Sequence, residues 1–182
     1  MIYVTRHGQT DWNLEKKVMG RCDIPLNENG KEQAKIVRDF LENTPIDKII
    51  CSPLLRAKET AWIINEKKQV EIVYDNRFIE RDFGELEGLT TQDFDFYGFW
   101  NYYQNNHYQS AENIQVFFQR VYEVLDDITT TYNKEDILIV AHGGVSIPID
   151  CYFRETIPTG SFIEQNMVLE NCQVKAYQKR KR

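Results

Sequence analysis

The sequence predicts an α/β fold, a three-layer α/β/α sandwich with a mostly parallel central sheet. Two observations carry this prediction. Short apolar segments typical of buried strands alternate along the chain with longer segments of helical periodicity. The run ILIVA at 137–141 is also unbroken, as expected for a strand covered on both faces. A length of 182 residues suits one domain over 1–182, since domains commonly hold about 100–200 residues.

Strands are predicted where short runs are apolar and rich in β-branched or aromatic residues. In chain order these runs lie at 2–5, 48–51, 71–74, 137–141, 162–169 and 173–177. The first four runs lead directly into polar, glycine-containing or charged segments. Those segments are expected to form loops at the ends of the strands, where α/β sheets usually bind their ligands.

Three longer helices are predicted between the strands. Asn27 is a plausible N-cap for a helix from Glu28 to about Leu41, and Pro45 follows its end. A second helix follows Arg56, with small and apolar residues on one face at Ala57, Ala61 and Ile64. The third, over 112–132, has the clearest apolar stripe, which is expected to pack against the sheet.

An aromatic-rich segment separates the third strand from the long helix. Eight aromatic residues lie between Phe94 and Tyr108, together with acidic and amide side chains. Two interpretations stay open and are compatible: a packed helical excursion, or a cap over about 89–110 whose rings line a ligand pocket. His107 within this segment is expected to have a surface or packing role.

Composition excludes several classes of function. The net charge of −6 argues against non-specific binding of nucleic acid. No apolar run reaches the ~18 residues that a membrane helix needs, so we expect a cytoplasmic protein without membrane partners. The four scattered cysteines predict reduced thiols rather than disulfides or a zinc site. The basic end at 178–182 is expected to be frayed.

Polar residues follow four of the predicted strands. They are Arg6-His7, Arg56, Glu80 and His142-Gly143. If the strands are parallel neighbours, these residues meet at one edge of the sheet. Two guanidinium groups suit the oxygens of a phosphoryl group, a histidine can act as nucleophile, and one carboxylate can transfer a proton.

The same segments resemble the motifs of the histidine phosphatase superfamily, the phosphoglycerate mutase-like group. Residues 5–13 (TRHGQTDWN) are similar to its R-H-G-x-T-x-x-N signature. Four further segments resemble its later motifs in the family's order: GRCDIPL at 20–26, SPLLRAKETA at 52–61, FIERDFGELEG at 78–88 and VAHGG at 140–144. The resemblance covers residues 2–146.

The resemblance implies a role for each matched residue. His7 would be the nucleophile that becomes phosphohistidine, and Glu80 would be the general acid and then the base that activates water. The phosphoryl oxygens would be bound by Arg6, Asn13, Arg56, His142 and the backbone N–H of Gly143. No cofactor or metal ion is implied, because the arginines supply the positive charge. Where the family often has Gly-Glu-Ser, this chain has Ala111-Glu112-Asn113, so Glu112 is a weaker candidate.

A phosphomonoesterase is favoured over a phosphoglycerate mutase. The related mutases place basic residues in the insertion after the E-G motif, whereas residues 90–109 contain no Lys or Arg. A non-catalytic phospho-ligand module is the third alternative, although binding alone does not need Glu80.

The substrate is expected to be a small phosphomonoester: a sugar phosphate, phosphoserine or a nucleoside-like phosphate such as that of the similar α-ribazole phosphatases. Further substrate contacts are expected from Thr10, Gly20, Arg21, Arg81, Phe99, Trp100 and Tyr103. The oligomeric state cannot be read from the sequence.

Overall fold

The computed structural model describes residues 1–104, 108, 110–163 and 165–179, and a sheet of five strands lies at its centre. The strands are β1 (Ile2–Arg6), β2 (Lys48–Cys51), β3 (Glu71–Tyr74), β4 (Ile137–Ala141) and β5 (Val174–Tyr177). Their order is β3-β2-β4-β1-β5. The first four strands run parallel, and β5 runs antiparallel to β1 at the edge. The predicted mostly parallel sheet is therefore confirmed.

Helices connect and cover the strands. In the described part of the chain they are α1 (Asp11–Leu14), α2 (Glu28–Phe40), α3 (Leu55–Lys68), α4 (Phe96–Phe99), α5 (Ile114–Thr131) and α6 (Gly143–Arg154). Short 3-10 turns lie at Asn76–Phe78 and Gly84–Leu86. Within the described residues, no helix combines the length and the apolar character that crossing a membrane requires.

Two hydrophobic cores lie on opposite faces of the sheet. On one face, α2 and α3 pack against Leu138 and Val140 of β4. On the other face, α5 and α6 pack against Ile137, Ile139 and Ala141 of the same strand. Successive side chains of a strand point to opposite faces, so an unbroken apolar strand serves both cores. The three-layer architecture is confirmed.

The strand register brings the chemically important loops together. In the parallel pairing of β1 with β4, Arg6 lies opposite Ala141, so the next residues, His7 and His142, leave the sheet side by side. On the other side of β4, Cys51 of β2 pairs with Val140, which places Ser52 beside the same strand end. Because parallel strands end at one edge, residues far apart in sequence meet there.

The predicted strand over 162–169 is wrong. Ser161 makes only an isolated bridge to Asn101, and turns follow it. Two physical reasons explain the difference. The edge of the sheet beside β1 is already occupied by β5, and Asn166 has a φ of +51°, which an extended strand does not allow. The buried Phe162 instead packs on Phe118 of α5, so its apolar character reflects a helix contact.

Helix α6 was not assigned from the sequence. It begins directly after His142 and contains Pro148 in its interior, and two glycines open it. These residues are usually poor helix formers, which hides the helix from propensity arguments. Residues 143–152 are all buried, so tertiary packing stabilises the helix instead.

The aromatic segment contains both packed residues and residues that line a cavity. Phe99 is buried in the core, whereas Phe96 and Trp100 line the cavity described below. Its helix, α4, is only four residues long. His107 and the end of the basic tail at 180–182 lie outside the described residues.

Candidate active site

A cavity of about 300 Å³ opens at the edge of the sheet where the four parallel strands end. Polar groups from the buried strand ends and loops form its inner part, namely Arg6, His7, Asn13, Arg56, Glu80, Gly143 and Gly144. Apolar side chains form much of the rest, namely Val18, Met19, Phe83, Phe96, Trp100, Ile163 and Val168. Ligand sites in proteins commonly combine an apolar wall with a few polar groups in this way.

His7 is held as a neutral imidazole with one nitrogen available. Its Nδ1 lies 2.7 Å from the carbonyl oxygen of Gly8, which can only accept, so Nδ1 carries the proton. Its Nε2 accepts a 3.3 Å hydrogen bond from Nε of Arg56 and therefore has a lone pair. Burial lowers the pKa of His7 well below its usual value, and the charges of Arg56 and Arg6 lower that pKa further. An imidazole nitrogen with a lone pair can act as a nucleophile.

Arg56 lies in the first turn of α3 and is fully buried. Its Nη1 and Nη2 donate to the carbonyl oxygens of Cys22 and Gly20 at 2.7 and 2.8 Å. Burial lowers the pKa of Arg56 to about 10, so the group still carries its charge at neutral pH. The backbone carbonyls fix the guanidinium plane against His7.

Arg6 reaches the same point from the end of β1. Its Nη1 donates to the carbonyl oxygen of Leu169 at 2.9 Å. Its Nε is buried and has no hydrogen-bond partner among the described residues. Burial lowers the pKa of Arg6, while Glu80 raises it. A guanidinium group whose Nε is buried beside His7 suits an oxygen anion, because an unmade buried hydrogen bond is costly.

His142 faces His7, with ring centroids 5.3 Å apart. Its Nε2 lies 2.6 Å from Oγ of Ser52, and its Nδ1 is buried without a partner in the described part of the chain. The backbone N–H of Leu54 also approaches Ser52 Oγ, at 3.4 Å. When the Ser52 hydroxyl donates to Nε2 of His142, Nδ1 carries the proton and is the N–H donor of the ring.

Glu80 provides the carboxyl group of the site. Its two oxygens accept backbone N–H bonds from Arg81 at 2.8 Å and from Gly144 at 2.9 Å. Burial raises the pKa of Glu80, although these hydrogen bonds and the nearby Arg56 and Arg6 oppose the shift. A Cβ atom on residue 144 would lie 2.3 Å from Glu80 Oε1, so only glycine fits there. A buried carboxyl group with a raised pKa is suited to donate a proton.

Arg120 holds the backbone that carries Glu80. It donates to the carbonyl oxygens of Arg77, Ile79 and Glu80 at 2.7, 2.8 and 3.1 Å. It also forms an ion pair with Glu112, which the sequence had marked as a weaker candidate. Glu112 is not among the described residues that line the cavity, and its contacts support the Glu80 loop from behind.

The predicted phosphate-binding residues come together, and Asn13 is among them. Asn13 lines the cavity, while its Oδ1 accepts the backbone N–H of Thr10 at 3.0 Å. This hydrogen bond and the reciprocal one to Thr10 Oγ1 form a capping box that starts α1. Gly143 lies against Arg6, since a Cβ there would be 3.1 Å from the guanidinium carbon.

The further predicted substrate contacts divide into two groups. Gly20 and Trp100 line the cavity, whereas the other five do not, among the described residues. Thr10 is the buried cap of α1, and Arg21 pairs with Asp82 at 3.1 Å on the surface. Arg81, Phe99 and Tyr103 are the other three residues that do not line the cavity.

Arg81 is buried and stacks on the ring of Phe99, with its guanidinium carbon 3.5 Å from the ring centroid. Its Nε donates to the carbonyl oxygen of Glu112 at 2.9 Å. Tyr103 is 60% exposed, and its hydroxyl donates to the carbonyl oxygen of Ile157 at 3.4 Å. These three side chains therefore belong to the framework around the cap rather than to the cavity wall.

Sequence reasoning missed several residues that support the site. Ser52 contacts His142, and Thr60 Oγ1 accepts the backbone N–H of Gly8 at 3.0 Å. Both lie in the SPLLRAKETA segment that resembles a family motif, so the motif itself was the signal. Asn171 donates to the carbonyl oxygen of His7 at 2.9 Å, and nothing near it in the sequence marks it. Lys16 and Lys17, which line the outer cavity, were also missed.

The chain is similar to a known protein family and to individual relatives. The family model for the histidine phosphatase superfamily (branch 1) matches residues 2–178. The uncharacterized phosphatase PhoE of Bacillus subtilis is 38% identical over 142 residues, which are 78% of this chain and 71% of that protein. The probable phosphoglycerate mutase GpmB of Salmonella arizonae is 30% identical over 183 residues, covering 95% of this chain and 82% of that protein.

Solved structures show the same likeness. Bacillus stearothermophilus YhfR superposes with a TM-score of 0.79 at 30% identity, covering 87% of this chain and 81% of that one. The alpha-ribazole phosphatase of Shigella flexneri superposes with a TM-score of 0.77 at 26% identity, covering 95% of this chain and 87% of that one.

Proposed function

Because the chain belongs to the histidine phosphatase superfamily, we propose that it hydrolyses a small organic phosphate through a phosphohistidine on His7. One observation carries the proposal. The unprotonated Nε2 of a neutral, buried His7 lies beside two arginines, in a cavity whose carboxyl group, Glu80, has a raised pKa. Relatives that are named phosphatases support the same reaction class.

In the first step, Nε2 of His7 attacks the phosphorus atom, and the bond from phosphorus to the ester oxygen breaks. Glu80 transfers its proton to that oxygen, so the alcohol leaves uncharged. Arg6, Arg56 and His142 hold the three equatorial oxygens, whose charge grows in the transition state. These fixed donors need no reorganisation, because backbone carbonyls and Ser52 already orient them.

In the second step, the ionised Glu80 takes a proton from water while the water oxygen attacks phosphorus. The bond from phosphorus to Nε2 breaks, inorganic phosphate leaves, and both His7 and Glu80 return to their starting forms. No metal ion enters this reaction, since Arg6 and Arg56 supply the positive charge.

Phosphate release from an aryl phosphate such as 4-nitrophenyl phosphate tests the proposal. Alkaline quenching during turnover should trap a phosphoryl group on His7, identified by peptide mass. The variant His7→Ala should lose both turnover and trapping. The control is Lys134→Met, which changes an exposed residue near the opposite end of the sheet. If His7→Ala hydrolysed the substrate as fast as the parent, the proposal would be contradicted.

Phosphoglycerate mutase activity is the second candidate, and two observations favour it. A relative bears that name, and the structure brings Lys16 and Lys17 to the outer cavity. Residues 90–109 contain no Lys or Arg, which spoke against a mutase. Lys16 and Lys17 supply positive charge from a different segment, so a mutase is less disfavoured than the sequence indicates. Incubation with 3-phosphoglycerate separates the reactions: a mutase forms 2-phosphoglycerate, whereas a phosphatase releases inorganic phosphate and glycerate.

A binding module without catalysis is the remaining alternative, and any reproducible turnover excludes it. For the phosphatase, the apolar wall formed by Val18, Phe96, Trp100 and Ile163 favours a substrate with an apolar or ring-bearing body. A panel of sugar phosphates, phosphoserine and nucleoside-like phosphates, including α-ribazole phosphate, would rank these classes by kcat/KM.

A further inference from the structure

We propose that the substrate carries a second anionic group, remote from its phosphoryl group, and that Lys16 binds this group at the mouth of the cavity. The inference rests on the proposed phosphatase function and adds a substrate class to it. It concerns the outer part of the cavity, which the reaction on His7 does not use.

Lys16 occupies a backbone position where glycine is favoured. Helix α1 ends at Leu14, and Lys16 follows the C-cap Glu15 with a φ of +56°. Its N–H donates to the carbonyl oxygen of Asn13 at 3.2 Å, which closes the turn. Residues with this left-handed conformation after a helix are usually glycine, because a Cβ atom is strained there. This chain has a lysine at the strained position, and Lys16 is among the residues that line the cavity.

The turn that carries Lys16 is anchored to the base of the aromatic segment. Lys17 forms an isolated antiparallel bridge with Thr90. The N–H of Val18 donates to the carbonyl oxygen of Leu89 at 2.9 Å, and the N–H of Gly88 donates to that of Val18 at 2.9 Å. The backbone below Lys16 is therefore fixed, so its flexible stem starts from a defined point at the rim.

Lys16 and the neighbouring Lys17 differ in whether their ammonium groups form an ion pair. Lys17 forms an ion pair with Glu15 and lies over the ring of Trp12, 5.8 Å from the ring centroid. For Lys16, no carboxylate oxygen of the described residues lies within 4.0 Å of the ammonium group. Its positive charge is left for a ligand.

The charges that line the cavity contrast with the charge of the whole chain. The chain carries −6, yet the cavity is lined by two arginines and two lysines against one carboxylate, Glu80, among the described residues. Arg6 and Arg56 lie at the buried end, Lys16 at the exposed end, and apolar side chains complete the wall. A molecule with a phosphoryl group, an apolar body and a carboxylate or second phosphate matches this distribution.

Two isosteric substrates test the proposal: 4-carboxyphenyl phosphate and its neutral analogue, 4-carbamoylphenyl phosphate. The parent protein should prefer the carboxylate by about fivefold in kcat/KM, mainly through KM, as expected for a partly exposed ion pair. In Lys16→Gln the preference should disappear, because the KM for the carboxylate should rise to the value for the neutral analogue. Raising the salt concentration should reduce the preference in the parent, because exposed charges are screened.

Lys16→Gly makes the test independent of folding. Glycine suits a φ of +56°, so this variant should be at least as stable as the parent and still lose the preference. Lys134→Met is the matched control for net charge and should keep the preference for the carboxylate.

Each outcome is decisive for one proposal. If the parent hydrolyses neither substrate, the phosphatase proposal fails. If it hydrolyses both without a preference for the carboxylate, or if Lys16→Gln keeps the preference, the role of Lys16 is overturned while the phosphatase proposal stands.

Discussion

The buried end and the mouth of the cavity are built in opposite ways. At the buried end, Arg56 is fully buried and His7 is 1% exposed, and backbone carbonyls position both side chains. At the mouth, the side chain of Lys17 is 37% exposed, and its partner Glu15 is 49% exposed. Buried polar groups must have their hydrogen bonds satisfied, whereas exposed ones can exchange partners with water. Substitutions should therefore have large effects at the buried end and small effects at the mouth.

Among the residues around His7, the largest effect is expected from Glu80→Gln. With an alkyl phosphate, whose leaving oxygen needs a proton, kcat/KM should fall by about 10²–10⁴, the usual contribution of general acid catalysis. With 4-nitrophenyl phosphate the loss should be much smaller, because that leaving group departs as an anion. The exposed Glu85→Gln in the same loop is the control. Equal losses on both substrates would show that Glu80 acts in some other way.

The pH dependence should follow the same carboxyl group. Burial raises the pKa of Glu80, so the protonated acid persists above the pH at which an exposed glutamate ionises. For the parent, kcat/KM on the alkyl phosphate should decline as the pH rises through this raised pKa. The pKa of His7 is lowered well below its usual value, so the nucleophile stays neutral on the acidic side of that range. In Glu80→Gln the alkaline decline should be absent.

Arg56→Lys should have the next largest effect. Lysine keeps the charge but lacks the planar fork that contacts two carbonyl oxygens and His7 at once. We expect a loss of about 10²–10³ in kcat, as found when one donor to a transition-state oxygen is removed. Steady-state kinetics on 4-nitrophenyl phosphate would measure it. A loss below threefold would mean that charge alone is sufficient at this position.

A smaller effect is expected from Ser52→Ala. Without the hydroxyl, the tautomer of the His142 ring should no longer be fixed. We expect kcat to fall by about tenfold, the lower range for removing a hydrogen bond that orients a functional histidine. Nitrogen NMR of the His142 ring would report the tautomer directly. Ser161→Ala is the control, because its buried Oγ has no partner among the described residues. An unchanged tautomer in Ser52→Ala would contradict the assignment.

The smallest effects are expected at surface residues that do not line the cavity. Arg21→Ala and Tyr103→Ala should each change kcat/KM by no more than about twofold, as is usual for substitutions at the surface. Kinetics on both the anionic and the neutral aryl phosphate would check this. A tenfold change in either variant would show that the cap closes onto the substrate and would remove the contrast between the two ends.

Much of the fold was predictable because burial leaves a periodic signal in the sequence. Strand β4 and helix α5 were found from an unbroken apolar run and an apolar stripe. The strand predicted at 162–169 was wrong, because its apolar residues pack against a helix and not against a neighbouring strand. Helix α6 was not predicted, because it is buried on all sides and its first two residues are glycines.

The sequence by itself determined the residues at the buried end. Arg6, His7, Arg56, Glu80 and His142 each follow a predicted strand within a short local motif, so strand order alone brings them together. Only the tertiary structure decided which surface residues face the cavity. Lys16 reaches it and Arg21 does not, although both lie in one polar loop. The direction of an exposed side chain depends on packing between distant segments, which no local pattern records.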